Sequence, residues 1–309
     1  MLFRSSGGST TPSSAPIART RDRIVFGQFS DTLGDFLLFT ADPNGSDIEP
    51  VLPGVAECPG WAPDGSSTLV VCVANPAGLL RPATVQADGS GLTLLDNLDP
   101  TLNIACGAWS PDGARLVCEA WDDQHPARNG IYSVRSSDGG DLQLLLAEPK
   151  GGQDIPGNYS PDGSQILYTS GKLSDPNRCA VSIMDADGSH GHRITPFGAT
   201  VCGYASWSPT GDEIVMADGG LLVVHPDGTG LRKIPLEGLS GTLSAFAPSW
   251  SPDGTRVLFS LSLSGGRGDL YSIGVDGSDL QQITHTPALE EDLGSWATIT
   301  TAATPQAST

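Results

Sequence analysis

Five residues recur through the chain. Trp-Ser-Pro-Asp-Gly stands at Trp109–Gly113 and again at Trp250–Gly254, with variants opening at Trp61, Tyr159 and Trp207. Adding a degraded copy at Trp296, the aromatic residues are 48, 50, 48, 43 and 46 residues apart. A second turn marker follows in each unit, at Asp42, Asp88, Asp138, Asp187, Asp227 and Asp276. Few architectures accommodate so regular a spacing of one short motif.

Between the markers lie short runs of strand formers, such as Arg115–Cys118, Gln165–Thr169 and Arg256–Ser260, then Ile131–Val134, Leu221–Val224 and Leu270–Ile273. Each unit therefore reads as four strands joined by tight turns in which glycine supplies the positive φ that a hairpin demands. The 39 Gly and 24 Pro suit a chain that turns this often. A period of about 40–50 residues with four strands per unit predicts an all-β, six-bladed β-propeller with four-stranded antiparallel blades. The recurring motif is then architectural: one hairpin per blade.

The ends predict how the ring closes. Trp296 supplies an innermost strand but no hairpin follows it. Asp22–Gln28 resembles Gly254–Ser260, and Asp35–Leu52 resembles Asp269–Thr284. The N-terminal strands are thus expected to complete the blade begun by the C-terminal strand, leaving no open sheet edge. The predicted organisation is a disordered Ser/Thr/Pro/Gly-rich linker over 1–21, the propeller over 22–300 and a disordered tail over 301–309.

The repeat, with segments such as Ser182–Thr195 and Leu270–Thr284, resembles that of the TolB-like, WD-repeat-like six-bladed propellers of bacterial envelope proteins. The resemblance covers about Asp22 to Thr300. It departs from that family in six cysteines and in having no separate N-terminal α/β domain ahead of the propeller. It implies a binding platform.

Lys+Arg number 16 against 35 Asp+Glu, a net charge of −19. This excludes nucleic acid as partner, which needs a cationic footprint; a basic protein or peptide suits it better. No apolar run reaches the ~20 residues that span a bilayer, and residues 1–20 contain no signal-peptide core, so any membrane attachment is expected to be a tether through the N-terminal linker. A monomer is expected.

Cys58 and Cys106 each precede a blade tryptophan by three residues, while Cys72 and Cys118 end the next strand. Pairing across the hairpins predicts disulfides Cys58–Cys72 and Cys106–Cys118. Cys179 and Cys202 remain for a third, out of 15 possible connectivities. Disulfides place the protein outside the reducing cytosol, in the periplasm, at the cell surface or secreted. Without a Cys-x-x-Cys spacing, zinc is not expected.

No catalytic residues are assigned: a Gly-x-Ser-x-Gly elbow is absent, as is a Gly-rich phosphate loop. Of five histidines, only His125 and His285 are placed on the cysteine-bearing face. Arg267–Asp269 spells Arg-Gly-Asp, but Asp269 matches Asp35 and belongs to the repeat. Acidic residues outside the repeat gather in loops at one end of the channel: Glu57, Asp99, Asp154, Glu290, Glu291 and Asp292, with Trp121, Asp122, Asp123 and His125. Loops on a rigid scaffold are where binding residues collect. The expected site is an acidic channel mouth for a basic peptide, Trp121 serving as an exposed anchor. No cofactor is expected, although the channel could take a divalent cation. The alternative is a metal-dependent carbohydrate-active or lactone-cleaving enzyme.

Overall fold

The computed structural model describes residues 19–31, 34–52, 57–148, 152–172, 175–196, 204–239, 241–264, 266–286 and 290–301. The first blade contains β1 (Arg19–Ser30), β2 (Asp35–Ala41) and β3 (Glu49–Leu52). The second is β4 (Glu57–Trp61), β5 (Thr68–Ala74), β6 (Leu80–Gln86) and β7 (Thr93–Leu94). The third is β8 (Asn103–Trp109), β9 (Arg115–Trp121), β10 (Gly130–Arg135) and β11 (Gln143–Ala147). The fourth is β12 (Gly152–Tyr159), β13 (Gln165–Lys172), β14 (Asp175–Asp185) and β15 (His192–Arg193). The fifth is β16 (Ala205–Trp207), β17 (Ile214–Ala217), β18 (Leu221–Val224) and β19 (Arg232–Ile234). The sixth is β20 (Leu243–Trp250), β21 (Arg256–Leu263), β22 (Gly268–Gly274) and β23 (Gln281–Gln282), and β24 (Glu290–Thr301) returns to the first blade.

All six sheets have four strands, and the first runs β24-β1-β2-β3. The ring closes as the sequence predicts, with Ile24 opposite Trp296 and Arg21 opposite Ile299. The pairing starts earlier than expected. Arg19 and Thr20 already oppose Thr301 and Thr300, so three residues assigned to the linker and one assigned to the tail belong to the closing blade. Residues 1–18 and 302–309 lie outside the described residues.

Each seam between adjacent blades holds its own apolar cluster. Val215 and Val223 of the fifth blade meet Trp250 and Phe259 of the sixth. Ile24 and Phe26 of the first meet Leu258 and Leu270 of the sixth, and Val117 and Ile131 of the third meet Tyr159 and Ile166 of the fourth. Six clusters for six seams distribute the core around the ring, so burial is continuous only when the ring is closed.

The outer turns repeat a left-handed residue. Asp47, Asp141 and Asp279 have φ of 56°, 54° and 51°, and Gly91 and Gly230 take the same role at 69° and 70°. Asp tolerates this region poorly compared with Gly. Here each Asp is held by an arginine on its blade's second strand: Arg23 Nη1 to Asp47 Oδ2 at 2.8 Å, Arg115 Nη1 to Asp141 Oδ2 at 2.7 Å and Arg256 Nη1 to Asp279 Oδ2 at 2.6 Å.

The innermost strands are irregular in a way that decides the cysteine chemistry. Trp109 opposes Leu116, and a bulge at Gly107 brings Cys106 opposite Cys118, where the predicted disulfide forms. The second-blade hairpin is one residue longer: the Ala62 N–H bonds the Thr68 carbonyl, where Ser110 bonds Arg115. Thr68 thus matches Arg115, Val71 matches Cys118, and Cys72 falls one residue further on. A one-residue offset turns a side chain to the other face of a strand. Cys72 accordingly opposes Glu57, and the expected Cys58–Cys72 disulfide does not form. Instead the Cys72 sulfur accepts the Cys106 N–H at 3.2 Å, across the blade seam. Cys179 is disulfide-bonded; its predicted partner, Cys202, lies outside the described residues.

Candidate functional site

The innermost strands of all six blades wall a central cavity of about 290 Å³. Its lining is mostly small side chains and main chain, including Pro59, Ala105, Gly107, Gly157, Ser206 and Ser249. Glu119 is the one charged lining residue among those described. Toward the hairpins the channel continues past the six blade aromatics, Trp61, Trp109, Tyr159, Trp207, Trp250 and Trp296.

On the face from which the innermost strands start, the loop after Trp121 is tightly organised. Asp122 is buried. Its Oδ1 accepts the N–H groups of Gln124 at 2.9 Å and His125 at 3.0 Å, and its Oδ2 accepts Arg128 Nη1 at 2.9 Å. Burial pushes the Asp122 pKa up, but the bonds from Gln124 and His125 outweigh it and leave it below its ordinary value. Arg128 also binds Asp99 and the Thr101 hydroxyl. The Thr101 hydroxyl and N–H, followed by Arg128, hold Asp99 below the usual carboxylate range. The two acids expected to contribute to binding beside Trp121 therefore differ in setting. Asp122 is a buried turn-former paired to a cation, while Asp123 and His125 are exposed. Trp121, expected as an exposed anchor, is half-buried opposite Asn103 at the end of β9.

Asp154 belongs to a different group. It lies on β12 opposite Ser170, and its N–H donates to Glu148 Oε2 at 3.0 Å. Burial raises its pKa, opposed by the Ser170 hydroxyl. Burial, then the charge of Asp154, pushes Glu119 up to about 7. Burial likewise pushes Glu148 up to about 7, with Asp154 and Glu119 adding to the rise against the bond from the Asp154 N–H. Glu148 Oε1 is buried without a hydrogen-bond partner among the described residues.

Glu291 stands apart from the others, fully buried in the closing blade. It accepts from Gln28 Nε2 at 2.9 Å, from the Thr284 hydroxyl at 3.2 Å and from the Thr286 hydroxyl. It is a structural acid rather than part of a solvated rim. The side chains of Glu57, Glu290 and Asp292 lie outside the described residues. In the Arg-Gly-Asp segment, Arg267 pairs with Asp31, and Asp269 accepts from the Thr286 N–H and Gln282. Among the described residues no three His, Cys, Asp or Glu side chains are grouped to hold a metal ion, and no helix is long and apolar enough to cross a membrane.

Glu119 and Glu148 were not among the residues expected from the sequence. Glu119 carries a signal nonetheless: it is an acid inside an apolar strand, where the matching positions of sister blades hold Cys72, Thr169, Ala217 and Ser260. This position faces the next blade, as Cys72 meets Cys106 and the Ser260 hydroxyl meets the Glu291 carbonyl at 2.8 Å.

No protein-family model matches the chain. Among solved structures, TolB from Acinetobacter baumannii aligns with a TM-score of 0.70 at 19% identity, covering 89% of this chain and 66% of that one. The present chain thus spans just under two thirds of that protein. A protein assigned as TolB from Agrobacterium tumefaciens aligns at 0.61 with 22% identity, covering 86% and 89%. An oligogalacturonate lyase in complex with manganese aligns at 0.55 with 15% identity, covering 88% and 76%. At these identities the likeness is one of fold, a TolB-like six-bladed propeller.

Proposed function

We propose that this chain is a non-enzymatic, extracytoplasmic protein- or peptide-binding propeller that docks a basic segment on its acidic face, over the central cavity. One observation carries the reading: the cavity is walled by uncharged groups from all six blades with a carboxyl, Glu119, as its one charged lining group among the described residues. Such a wall favours a chain carrying a cationic side chain over an anionic one. Asp123, exposed on the same face, and the overall charge of −19 add a field of the same sign. The Cys106–Cys118 bond favours an oxidising compartment. The N-terminal segment serves as a tether, and the module acts as a monomer.

The test is fluorescence anisotropy with two labelled peptides of equal length, one Lys/Arg-rich and one Asp/Glu-rich. The basic peptide should bind, and its binding should weaken as salt rises past about 0.15 M, where the Debye length is ~8 Å. Equal binding of both peptides, or of neither, sinks the reading. The likeness to a manganese-bound lyase favours a second reading, a metal-dependent carbohydrate-active or lactone-cleaving enzyme. Elemental analysis showing stoichiometric metal, with turnover of a polyuronate or lactone, would favour it.

A further inference from the structure

Three carboxyl-bearing residues lie along the join of the third and fourth blades. Glu119 lies in the middle of β9, opposite Ala105 on one side and Ile131 on the other, and reaches the cavity. Glu148 follows β11, its N–H fixed to the Asn129 carbonyl at 2.8 Å. Asp154 comes from the fourth blade and fixes one Glu148 oxygen through its own N–H. The other Glu148 oxygen is buried with no donor among the described residues.

An ionised carboxylate can only accept hydrogen bonds, whereas a protonated one carries a donor. Leaving a charged oxygen buried and unmatched is costly, and placing further carboxylates against it raises the cost. A proton held within the group removes both penalties. We propose that Glu119, Glu148 and Asp154 titrate as a coupled set across this seam, so that mild acid discharges the cavity wall and neutral to alkaline surroundings charge it. Resting on the docking reading above, this makes the proton a regulator of that site: a basic segment is held when the trio is ionised and released when it is protonated.

Among the described residues, Tyr168 on β13 is the further titratable group facing the trio, through Asp154. The neighbouring elements leave little cationic charge uncommitted. Arg115 on β9 is paired with Asp141, and Arg128 with Asp99 and Asp122. Tyr132 on β10 gives its hydroxyl to the Arg128 carbonyl. The side chains of Lys172 and Arg178 lie outside the described residues. Coupled groups of this kind titrate as a unit, in steps that belong to the set.

Carboxyl carbon-13 NMR of the full chain tests the proposal without any partner. Wild type should show Glu carboxyl resonances with midpoints near about 7, far above the ordinary ~4.3. Glu148→Gln should move the remaining Glu119 midpoint downward, because one like charge is gone. If every glutamate outside the closing blade titrates below about 5 in wild type, the proposal is overturned, whether or not the variant folds. A basic-peptide anisotropy series across the same pH range separates the two ideas. Peptide binding without high midpoints leaves docking standing and removes the switch; high midpoints without peptide binding do the reverse. With both present, binding should fall as pH drops through the midpoint in wild type and fall less in Glu148→Gln; equal pH dependence overturns the regulation.

Discussion

The indole Nε1 of Trp109 donates a hydrogen bond to the carbonyl oxygen of Gly60, 3.2 Å away in the preceding blade. The same latch recurs from Trp61 to Ser295 at 3.3 Å and from Trp250 to Ser206 at 3.1 Å. Each acceptor immediately precedes the aromatic of its own blade. At Trp61, Trp109 and Trp250 the tryptophan thus ties one innermost strand to the preceding one, a bond that phenylalanine at that site cannot make. The Tyr159 hydroxyl and the indole nitrogens of Trp207 and Trp296 are instead buried without a partner among the described residues.

Replacing Trp109 with Phe should therefore keep most of the packing and lose the latch, at a cost of about 1 kcal/mol. Gly60→Ala should do more harm, because the added methyl would run into the Gly107 carbonyl oxygen, and that atom is backbone. Overpacking of this kind costs about 1–3 kcal/mol. Urea melts of the two variants check the order. A Gly60→Ala protein as stable as wild type would show that the seam is looser than drawn.

Ring closure gives the second expectation. Deleting residues 1–18 should leave the melting temperature unchanged, whereas deleting residues 1–52 removes β1, β2 and β3 and exposes the edge of β24. The longer deletion should abolish the cooperative transition, since the first blade supplies half of two apolar seams. A cooperative melt surviving that cut would mean the remaining five blades close without it.

These two cases mark what the sequence reveals. Blade number, strand order and closure were readable because Trp61, Trp109, Tyr159, Trp207 and Trp250 open copies of one turn whose backbone demands specific residues, and Trp296 marks the innermost strand that lacks it. The cysteine register was readable only where the hairpin kept its common length, as between Cys106 and Cys118. The extra residue between Trp61 and Thr68 looks harmless in a loop, yet it turns Cys72 from Cys58 toward the next blade. The site was less legible. Asp122 and Glu291 look like solvated acids in sequence, and only the folded arrangement supplies the Arg128, Gln28 and Thr284 that bury them.

Thiol chemistry should follow that register. Non-reducing peptide mapping should recover a Cys106–Cys118 pair and no Cys58–Cys72 pair. Reducing the former should destabilise the protein by roughly 3 kcal/mol on the chain-entropy scale for a loop of this size. Cys58, partly exposed at the bulge and lining the cavity, should react with maleimide in the native protein. A recovered Cys58–Cys72 peptide would overturn the register assigned to the second blade.

Glu291 should impose a pH dependence of its own. Burial raises its pKa, partly offset by the Thr286 and Gln28 bonds, with the charge of Asp269 adding to the rise. A carboxyl whose folded pKa exceeds the unfolded value of about 4.3 binds its proton more tightly in the fold. Its contribution to stability is complete below that value and is lost as pH rises through the folded pKa. Glu291→Gln cannot ionise, so its melting temperature should fall less than that of wild type between pH about 4 and about 8. It lies in the closing blade, remote from the third–fourth seam, so its effect should add to that of Glu148→Gln. Parallel wild-type and variant profiles would show that Glu291 titrates normally.

The final expectation concerns the acidic face. Its test must spare Asp122, because neutralising that residue would unmake the turn after Trp121 and release Arg128 from one of its two carboxylates. Asp123→Asn removes only an exposed charge. If the face steers a basic peptide, this variant should slow association, most visibly at low salt, with little change in dissociation. Glu119→Gln acts inside the cavity, where a docked cationic group would be largely desolvated, and should instead speed dissociation. Stopped-flow anisotropy with the Lys/Arg-rich peptide separates the two rates, and melting curves confirm that both variants keep the fold. If Asp123→Asn and Glu119→Gln leave both rates unchanged while the peptide still binds, the working surface is elsewhere, and the hairpin face ringed by Trp207, Trp250 and Trp296 is the next to test.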